Sequence, residues 1–390
     1  MTVKYDIVAA GAGPAGATAA YILSKKGFSV LVVDKEHFPR KKLCGGCLTA
    51  KTTRILNDVF NESEDSLIKK NIINFKSNRF EIRYKTETII NKPSAYTFYF
   101  VDRSTYDNFL LQKVKEAGAD VLEGVKITGV NAEKNELITS TGRLIKAKFI
   151  IAADGVNSTI RTKLYCQNKR NRSNWQRNLA YCLEIFPGRE KYINAGDHPI
   201  LDFGYLRYGC AWIFPNKDRR VIGMGGLGRK NKNLANQFNA YLADYNLDNI
   251  DALEIRGHPL PFGNFLLKPV WPGGNILLVG DAAGLVDPML GEGIYQAHKS
   301  GELAARAIIE NIENNKKTDA NFLHLLHTHL FPELIYARKF RRLLYNKLNH
   351  IFKFRNIRLM DKHFDKLVEV AHGLRSYRWF KKKVDGIHTL

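Results

Sequence analysis

Acidic residues are scarce in this chain of 390 residues: 38 Asp and Glu face 60 Lys and Arg, for a formal net charge of +22. Such an excess predicts attraction to anionic surfaces, among them nucleic acid, phospholipid headgroups and phosphorylated substrates. Cysteine is scarce too, five in all, which excludes a disulfide framework and fits a reducing compartment. No apolar run reaches the roughly 18 to 20 residues that a membrane-spanning helix needs. The N-terminus carries Lys4 and Asp6 and is absorbed into an apolar strand, so it does not read as a signal peptide, and a cytoplasmic location is expected. No internal repeat or low-complexity linker is visible. The histidines show no ligand spacing; His324, His327 and His329 fall close together on a helical stretch, where solvated or packing roles are expected and a metal is not. What is present is ample apolar material, 45% hydrophobic and 11% aromatic, enough for two domains or one domain with a large insertion.

The most informative stretch is YDIVAAGAGPAGATAAYILSKKGFSVLVVD, residues 5 to 34. Tyr5 to Ala10 reads as a buried strand, and Val30 to Val33 as a second. Between them Gly11, Gly13 and Gly16, with Pro14 and Ala15, supply a tight turn, a close backbone approach to a pyrophosphate and close helix packing. The helix N-terminus faces the anion. Asp34 ends the second strand, where a carboxylate can accept hydrogen bonds from an adenosine ribose. A dinucleotide follows, either NAD or FAD.

Two later turns favour FAD. Phe149 to Asp154 is a strand running into DGVNSTIR, and Ile276 to Val279 is another, closing on Gly280 and Asp281 before a helix at Ile294 to Ile309. Asp154 and Asp281 thus stand at carboxyl ends of parallel strands, the edge at which such sheets bind ligands, and can accept hydrogen bonds from a polyol such as ribityl. One phosphate cradle with two further carboxylate turns suits a ligand as long as FAD.

GAGPAG with Asp34, Arg103 and Asp107 opening a helix, ADGVNS at Ala153 to Ser158, and VGDAAGLVDPMLGEGI at Val279 to Ile294 together resemble the FAD-dependent aromatic hydroxylase and geranylgeranyl reductase superfamily, over roughly residues 1 to 310. PRKKLCGGCLT at Pro39 to Thr49, GCAWIFPNKD at Gly209 to Asp218, and GEGI at Gly291 to Ile294 resemble the geranylgeranyl reductase branch. Trp212 to Pro215 is also similar to the Trp-rich motif of flavin halogenases, but Cys210 stands where that motif has its first Trp. The resemblance implies reduction of isolated carbon–carbon double bonds of a prenyl chain carried by a lipid, a quinone or a related isoprenoid. It implies FAD-binding roles for Ala15, Asp34, Gly45, Gly46, Leu48, Arg103, Val125, Asp281, Gly293 and Ile294. The amides from Gly291 to Ile294 are expected near the isoalloxazine. The chemistry needs reduced flavin as hydride donor, a dry apolar tunnel, and an acid for the other alkene carbon. Cys44 is the candidate the motif offers, with a small packing residue as the plainer reading; Tyr205 and Tyr208 read as wall residues. Cys44 and Cys47 form a CxxC, but no second CxxC or CxxH follows, so a zinc site is not expected. Cys166, Cys182 and Cys210 read as buried packing.

The expected architecture is α/β: a Rossmann-like FAD-binding domain from residues 1–71, 101–165 and 268–325, a mostly antiparallel substrate domain inserted as 72–100 and 166–267, and a basic helical region, 326–390. With no second glycine fingerprint, NAD(P)H or a ferredoxin-type donor would deliver electrons transiently. A monooxygenase that hydroxylates or epoxidises a small or lipidic molecule is the alternative enzyme, and a protein keeping FAD as structure only is the third reading. Residues 331–390 hold 15 Lys and Arg against 5 Asp and Glu. Phe331 to Phe354 reads as a basic amphipathic helix for an anionic inner membrane face, or as a helix packed on the nucleotide domain. Trp379, Phe380 and Lys381 to Lys383 add an interfacial aromatic pair beside a cationic cluster. No recognition motif accompanies the charge, so nucleic acid is not the expected partner.

Overall fold

The computed structural model describes residues 3–191, 196–247, 254–351, 361 and 363–380. In chain order the strands are β1 (Val3–Ala10), β2 (Val30–Val33), β3 (Cys47–Leu48), β4 (Ile73–Tyr84), β5 (Glu87–Val101), β6 (Asp120–Leu122), β7 (Ile127–Asn131), β8 (Glu136–Thr139), β9 (Leu144–Ala152), β10 (Leu179–Ile185), β11 (Ile200–Phe203), β12 (Gly209–Pro215), β13 (Arg220–Leu227), β14 (Arg256–Pro261) and β15 (Ile276–Leu278). The helices are α1 (Pro14–Lys25), α2 (Ala50–Phe60), α3 (Glu64–Lys69), α4 (Arg103–Glu116), α5 (Thr159–Tyr165), α6 (Lys169–Arg177), α7 (Leu234–Asp244), α8 (Ile294–Asn314), α9 (Thr318–His329), α10 (Phe331–Ile351) and α11 (Phe364–Ala371).

The first sheet runs β6-β2-β1-β9, and the far edge of β9 is shared: its N-terminal half pairs antiparallel with β8, and its C-terminal half parallel with β15. Ile7, Val8, Ala9 and Ala10 are fully buried, with α1 packed on the sheet and α4 and α8 packed against α1. Register aligns the carboxyl ends: Ala10 lies beside Val33 and Ala152, and Ala152 beside Leu278. The turns after β1, β2, β9 and β15, with Gly11 to Gly16, Asp34, Asp154 and Asp281, therefore open on one edge. Backbones meet there closely. A Cβ on Gly11 would lie 2.3 Å from the Ala153 carbonyl oxygen, one on Gly16 1.9 Å from the Gly11 oxygen, and one on Gly301 of α8 2.2 Å from the Ala15 oxygen.

A buried hydrogen-bond chain fastens the helices behind that edge. Thr18 of α1 contacts His298 Nδ1 at 2.7 Å, and Tyr106 of α4 contacts its Nε2 at 2.7 Å. Burial pushes the His298 imidazole down to about 3, so it serves both neighbours as a neutral ring.

The second sheet has the order β14-β10-β13-β12-β11-β4-β5-β3. It is antiparallel except where β11 runs parallel to β4, and it is built from residues 47–48, 73–101 and 179–261. Trp175 lies in α6, and β8, which carries no strong apolar alternation, completes a hairpin with β7. The break expected between residues 325 and 326 falls inside α9, whose Phe322, Leu325 and Leu326 join the main core.

The C-terminal region docks on the body. Phe331, Leu334, Ala337 and Arg341 of α10 are buried, and the Arg341 guanidinium donates to the Phe262 carbonyl at 2.6 Å. Burial lowers its pKa to about 10. Arg341 is therefore not on a cationic outer face, while Lys339 and Arg342 are exposed. Lys381 to Lys383 and the residues from Phe352 to Phe354 lie outside the described residues.

Candidate functional site

One cavity of about 1120 Å³ runs along the shared carboxyl edge and under the second sheet, larger than the roughly 300–1,000 Å³ of an ordinary small-molecule pocket. At one end it meets the glycine turn. Gly13 caps α1 without any side-chain cap, leaving first-turn N–H groups without an intrahelical partner where Gly11, Gly13, Pro14 and Ala15 line the wall. Such an uncapped N-terminus suits a pyrophosphate. Asp34 also lines the wall; its carboxylate accepts from the Ala12 amide at 2.7 Å and the Glu36 amide at 2.9 Å, which holds it in place for a ribose. Val125 donates its amide to the Asp34 carbonyl at 2.9 Å, so its contribution to the cavity is its side chain.

Asp154 does two jobs. One oxygen accepts from the Thr159 and Ile160 amides at 2.8 and 3.2 Å and fixes the start of α5; the other, Oδ1, is buried without a hydrogen-bond partner among the described residues. That orphan calls for a donor from a ligand. Asp281 lies beside Gly293, with Oδ1 3.4 Å from where a Cβ there would stand. Burial raises its pKa, opposed chiefly by the Lys42 charge. Gly293 caps the 21-residue helix α8 without a side-chain cap, so a second helix N-terminus points into the cavity at Gly291, Gly293 and Ile294. The dipole of α8 there favours negative charge. The Asp154 orphan and the two uncapped helices fit a long ligand that carries a pyrophosphate and, farther along, a ring able to hold negative charge, as FAD does when reduced.

The Cys44 loop forms the wall between cofactor end and sheet. Gly45 packs so that a Cβ would meet the Phe214 ring at 2.5 Å, and Gly46, at φ +69°, lies with its Cβ position 2.1 Å from the Val101 oxygen. Cys44 and Gly45 line the cavity, whereas Gly16, Gly46 and Leu48 stand behind the lining. Leu48 is fully buried in the core, paired in β3 with Tyr99; what it can offer a ligand is limited by that strand pairing. The Arg103 guanidinium clasps Asp107 through two 2.8 Å contacts, and Arg40 reaches the same carboxylate at 2.8 Å. Cys44 and Cys47 are both free thiols. Burial drives Cys47 far above the ordinary thiol range, so it stays protonated in β3. Tyr205 donates to Asp244 and Tyr208 stacks on Tyr345; neither lines the cavity. Among the described residues no three His, Cys, Asp or Glu come together as a metal site.

Several lining residues escaped the sequence reading. Cys182 and Cys210, expected as buried packing, line the cavity, as do Lys42, Glu184 and His258. Lys42 Nζ is 2.5 Å from His258 Nε2. The signal available was the strand LAYCLEI, in which Glu184 alternates with Cys182 on one face. Apolar side chains of Phe214, Leu260, Phe262, Met289 and Tyr345 complete the far end.

The C-terminal region braces these loops. Tyr377 donates to both oxygens of Asp287, at 3.2 and 3.1 Å, and Asp287 in turn caps the Met289 and Leu290 amides. His372 accepts from the Ala50 amide at 3.0 Å at the start of α2, and Lys51 forms an ion pair with Glu292 of the Gly291 to Ile294 loop. Both loops next to the cavity are thus tied to the tail.

A family model described as an FAD binding domain matches residues 4–180. An uncharacterized protein of Methanosarcina barkeri is 33% identical over 319 residues, covering 80% of this chain and 76% of its own length. A digeranylgeranylglycerophospholipid reductase of Methanococcus aeolicus is 25% identical over 97% of this chain and 95% of its own. Among solved structures, a geranylgeranyl bacteriochlorophyll reductase-like protein of Thermoplasma acidophilum superposes with a TM-score of 0.74 at 22% identity, over 95% of this chain and 92% of that one.

Proposed function

Because this chain belongs to the family of FAD-dependent geranylgeranyl reductases, we propose that it reduces carbon–carbon double bonds in the prenyl chain of an isoprenoid or lipid substrate. The observation that carries this is the single continuous cavity, which passes from two uncapped helix N-termini, by Cys44 and Gly45, into an apolar end walled by Phe214, Leu260, Phe262 and Tyr345. A bound cofactor and an extended apolar chain can meet where those two halves join.

In this reading the α1 turn, with Gly11, Gly13, Pro14, Ala15 and Gly16, holds the pyrophosphate, and Asp34 the ribose. Asp154 and Asp281 take the ribityl side, and Gly291, Gly293 and Ile294 present amides to the ring. Arg103 and the Gly45–Gly46 backbone flank the ring from the other side, with Val125 against the adenine. Bound FAD, once reduced by NAD(P)H or a ferredoxin-type protein, supplies a hydride. The remaining work belongs to the chain: the apolar end orients the alkene and excludes water from the reacting atoms.

Incubated anaerobically with lipid extract or geranylgeranyl diphosphate, the reduced enzyme is expected to give prenyl products heavier by two hydrogens for each reduced bond, read by mass spectrometry. No such product on any prenyl species overturns the proposal, and oxygen incorporation in air would favour the monooxygenase instead. Peripheral attachment to an anionic membrane is a second part of the reading, supported by exposed Lys339 and Arg342 and by the charge of residues 331–390. Because α10 is part of the core, the test keeps the chain whole: K339E/R342E should float markedly less with vesicles of anionic lipid than the parent does. Equal flotation by the two proteins sinks that part. No described helix is long and apolar enough to cross a membrane.

A further inference from the structure

The second sheet sets a row of side chains across three strands, directly above the cofactor edge. Trp212 of β12 pairs with Gly223 of β13, and Gly223 pairs with Glu184 of β10. Paired residues share a face, and the middle one has no side chain. The indole fills that space: a Cβ on Gly223 would lie 2.5 Å from two indole carbons and 2.6 Å from Nε1. The ring thus lies over β13, and its nitrogen is carried toward Glu184. The next row repeats the device with Cys210, Gly225, Cys182 and His258.

Glu184 is 2% exposed, lines the cavity, and leaves Oε2 without a hydrogen-bond partner; Trp212 Nε1 is likewise buried and unpartnered. A buried carboxyl with a free oxygen is costly to keep unless it meets a ligand or holds a proton. Lys42, held against His258, is the charge that most favours its ionised form, yet burial outweighs it and raises Glu184 to about 7. The same group can therefore be a neutral acid before a reaction and a tolerated carboxylate after it.

The geometry points to Glu184 as the proton donor to the prenyl alkene, with the Trp212 indole beside it on the same face of the sheet. This rests on the reductase reading above. In the step the alkene π bond is replaced by two C–H bonds: the Glu184 O–H breaks to give a proton to one carbon, and the hydride supplied by reduced FAD goes to the other. The alkene gains two electrons, which the reduced cofactor loses with its hydride to become FAD, and the Glu184 carboxylate regains a proton from solvent. Cys44, half-buried with its sulfur accepting from the Gly46 amide at 3.4 Å, is then part of the wall and not the acid.

The test uses FAD-loaded protein, reduced anaerobically and mixed with geranylgeranyl diphosphate in single turnover. E184Q keeps shape and removes the proton. It should bind FAD at full stoichiometry, perturb the flavin spectrum on substrate binding as the parent does, and slow reoxidation by the alkene by 10²- to 10⁴-fold, the usual range for a general acid. The parent rate should fall as pH rises through about 7, E184D should retain that fall at a lower rate, and E184Q should be flat. Independently of turnover, infrared difference spectra of the substrate-free holoenzyme between pH 6 and 8 should show a protonated-carboxyl band that E184Q lacks. A parent-like rate and pH profile in E184Q overturns the proposal while leaving the reductase reading intact, as does loss of FAD or of substrate binding in both variants. An infrared band unchanged in E184Q also overturns it. A parent enzyme that reduces no prenyl substrate fails at the earlier reading, which the product analysis detects separately.

Discussion

Gly16→Ala is expected to purify without FAD, with a sharply lowered melting temperature. The Cβ it adds would lie 1.9 Å from the Gly11 carbonyl oxygen and 3.1 Å from the Ala153 side chain. Both neighbours are held by paired parallel strands, Gly11 directly after Ala10 of β1 and Ala153 directly after Ala152 of β9, so neither can yield without breaking register. Overpacking a core costs about 1–3 kcal/mol and more when the obstacle is backbone, and here the displaced backbone is the cradle itself. Gly27→Ala is the control. Gly27 closes the same helix at φ +86°, but nothing lies within 4 Å of its Cβ position; it should lose about 1–2 kcal/mol from the left-handed conformation alone and keep FAD. The ratio of flavin to protein absorbance and a thermal melt separate the two. Retained stoichiometric FAD in Gly16→Ala would refute the assignment of the turn.

Asp107→Ala should be the most destabilising single change at a charged residue near the cavity, by about 3–5 kcal/mol. Asp107 is fully buried and is the shared partner of Arg103 and Arg40, with every contact at 2.8 Å. Its removal leaves two guanidiniums facing each other at low exposure, and mutual repulsion adds to their desolvation. Glu313→Ala offers the comparison. The Glu313 pair with Lys26 spans 3.9 Å with both side chains about half exposed, and such pairs contribute roughly 0–1 kcal/mol. Urea midpoints of the two variants against the parent measure the difference, and equal midpoints would mean that the buried trio stores little stability. Arg103 is also freed to move in Asp107→Ala, so FAD affinity should fall in parallel with stability.

Much of the cofactor end was legible in sequence because its geometry is local. Gly11 to Gly16, Asp34 and Asp154 each sit within a few residues of a buried strand whose apolar run declares it, and a strand followed by a glycine turn and a helix has few ways to fold. Asp281 and Gly291 to Ile294 were readable for the same reason. A motif position says nothing about the strand opposite it, and pairing with Tyr99 sets Leu48 in the core. Cys182 and Cys210 misled. An apolar strand residue faces either a core or a cavity, and periodicity treats both alike.

The reacting end was legible only in part. Alternation along LAYCLEI puts Glu184 and Cys182 on one face of a strand, but not which strands flank it. That Trp212 lies beside Glu184 follows from the pairing of β12, β13 and β10, and from the two glycines of β13 that let an indole cross. The basic C-terminal helix shows the same limit. Its period of 3.6 marks an apolar stripe, and the body of the protein, not a bilayer, covers Phe331, Leu334 and Ala337.

Sequence alone determined the parallel sheet, the glycine turn and the acidic residues at its edge, because hydrophobic period, glycine and a helix N-terminus act over distances of one or two turns of chain. The tertiary structure decided what meets the far half of the cavity. Strand register and the docking of α10 and α11 bring together residues more than a hundred positions apart, through pairings that depend on the whole folded sheet and leave no local trace.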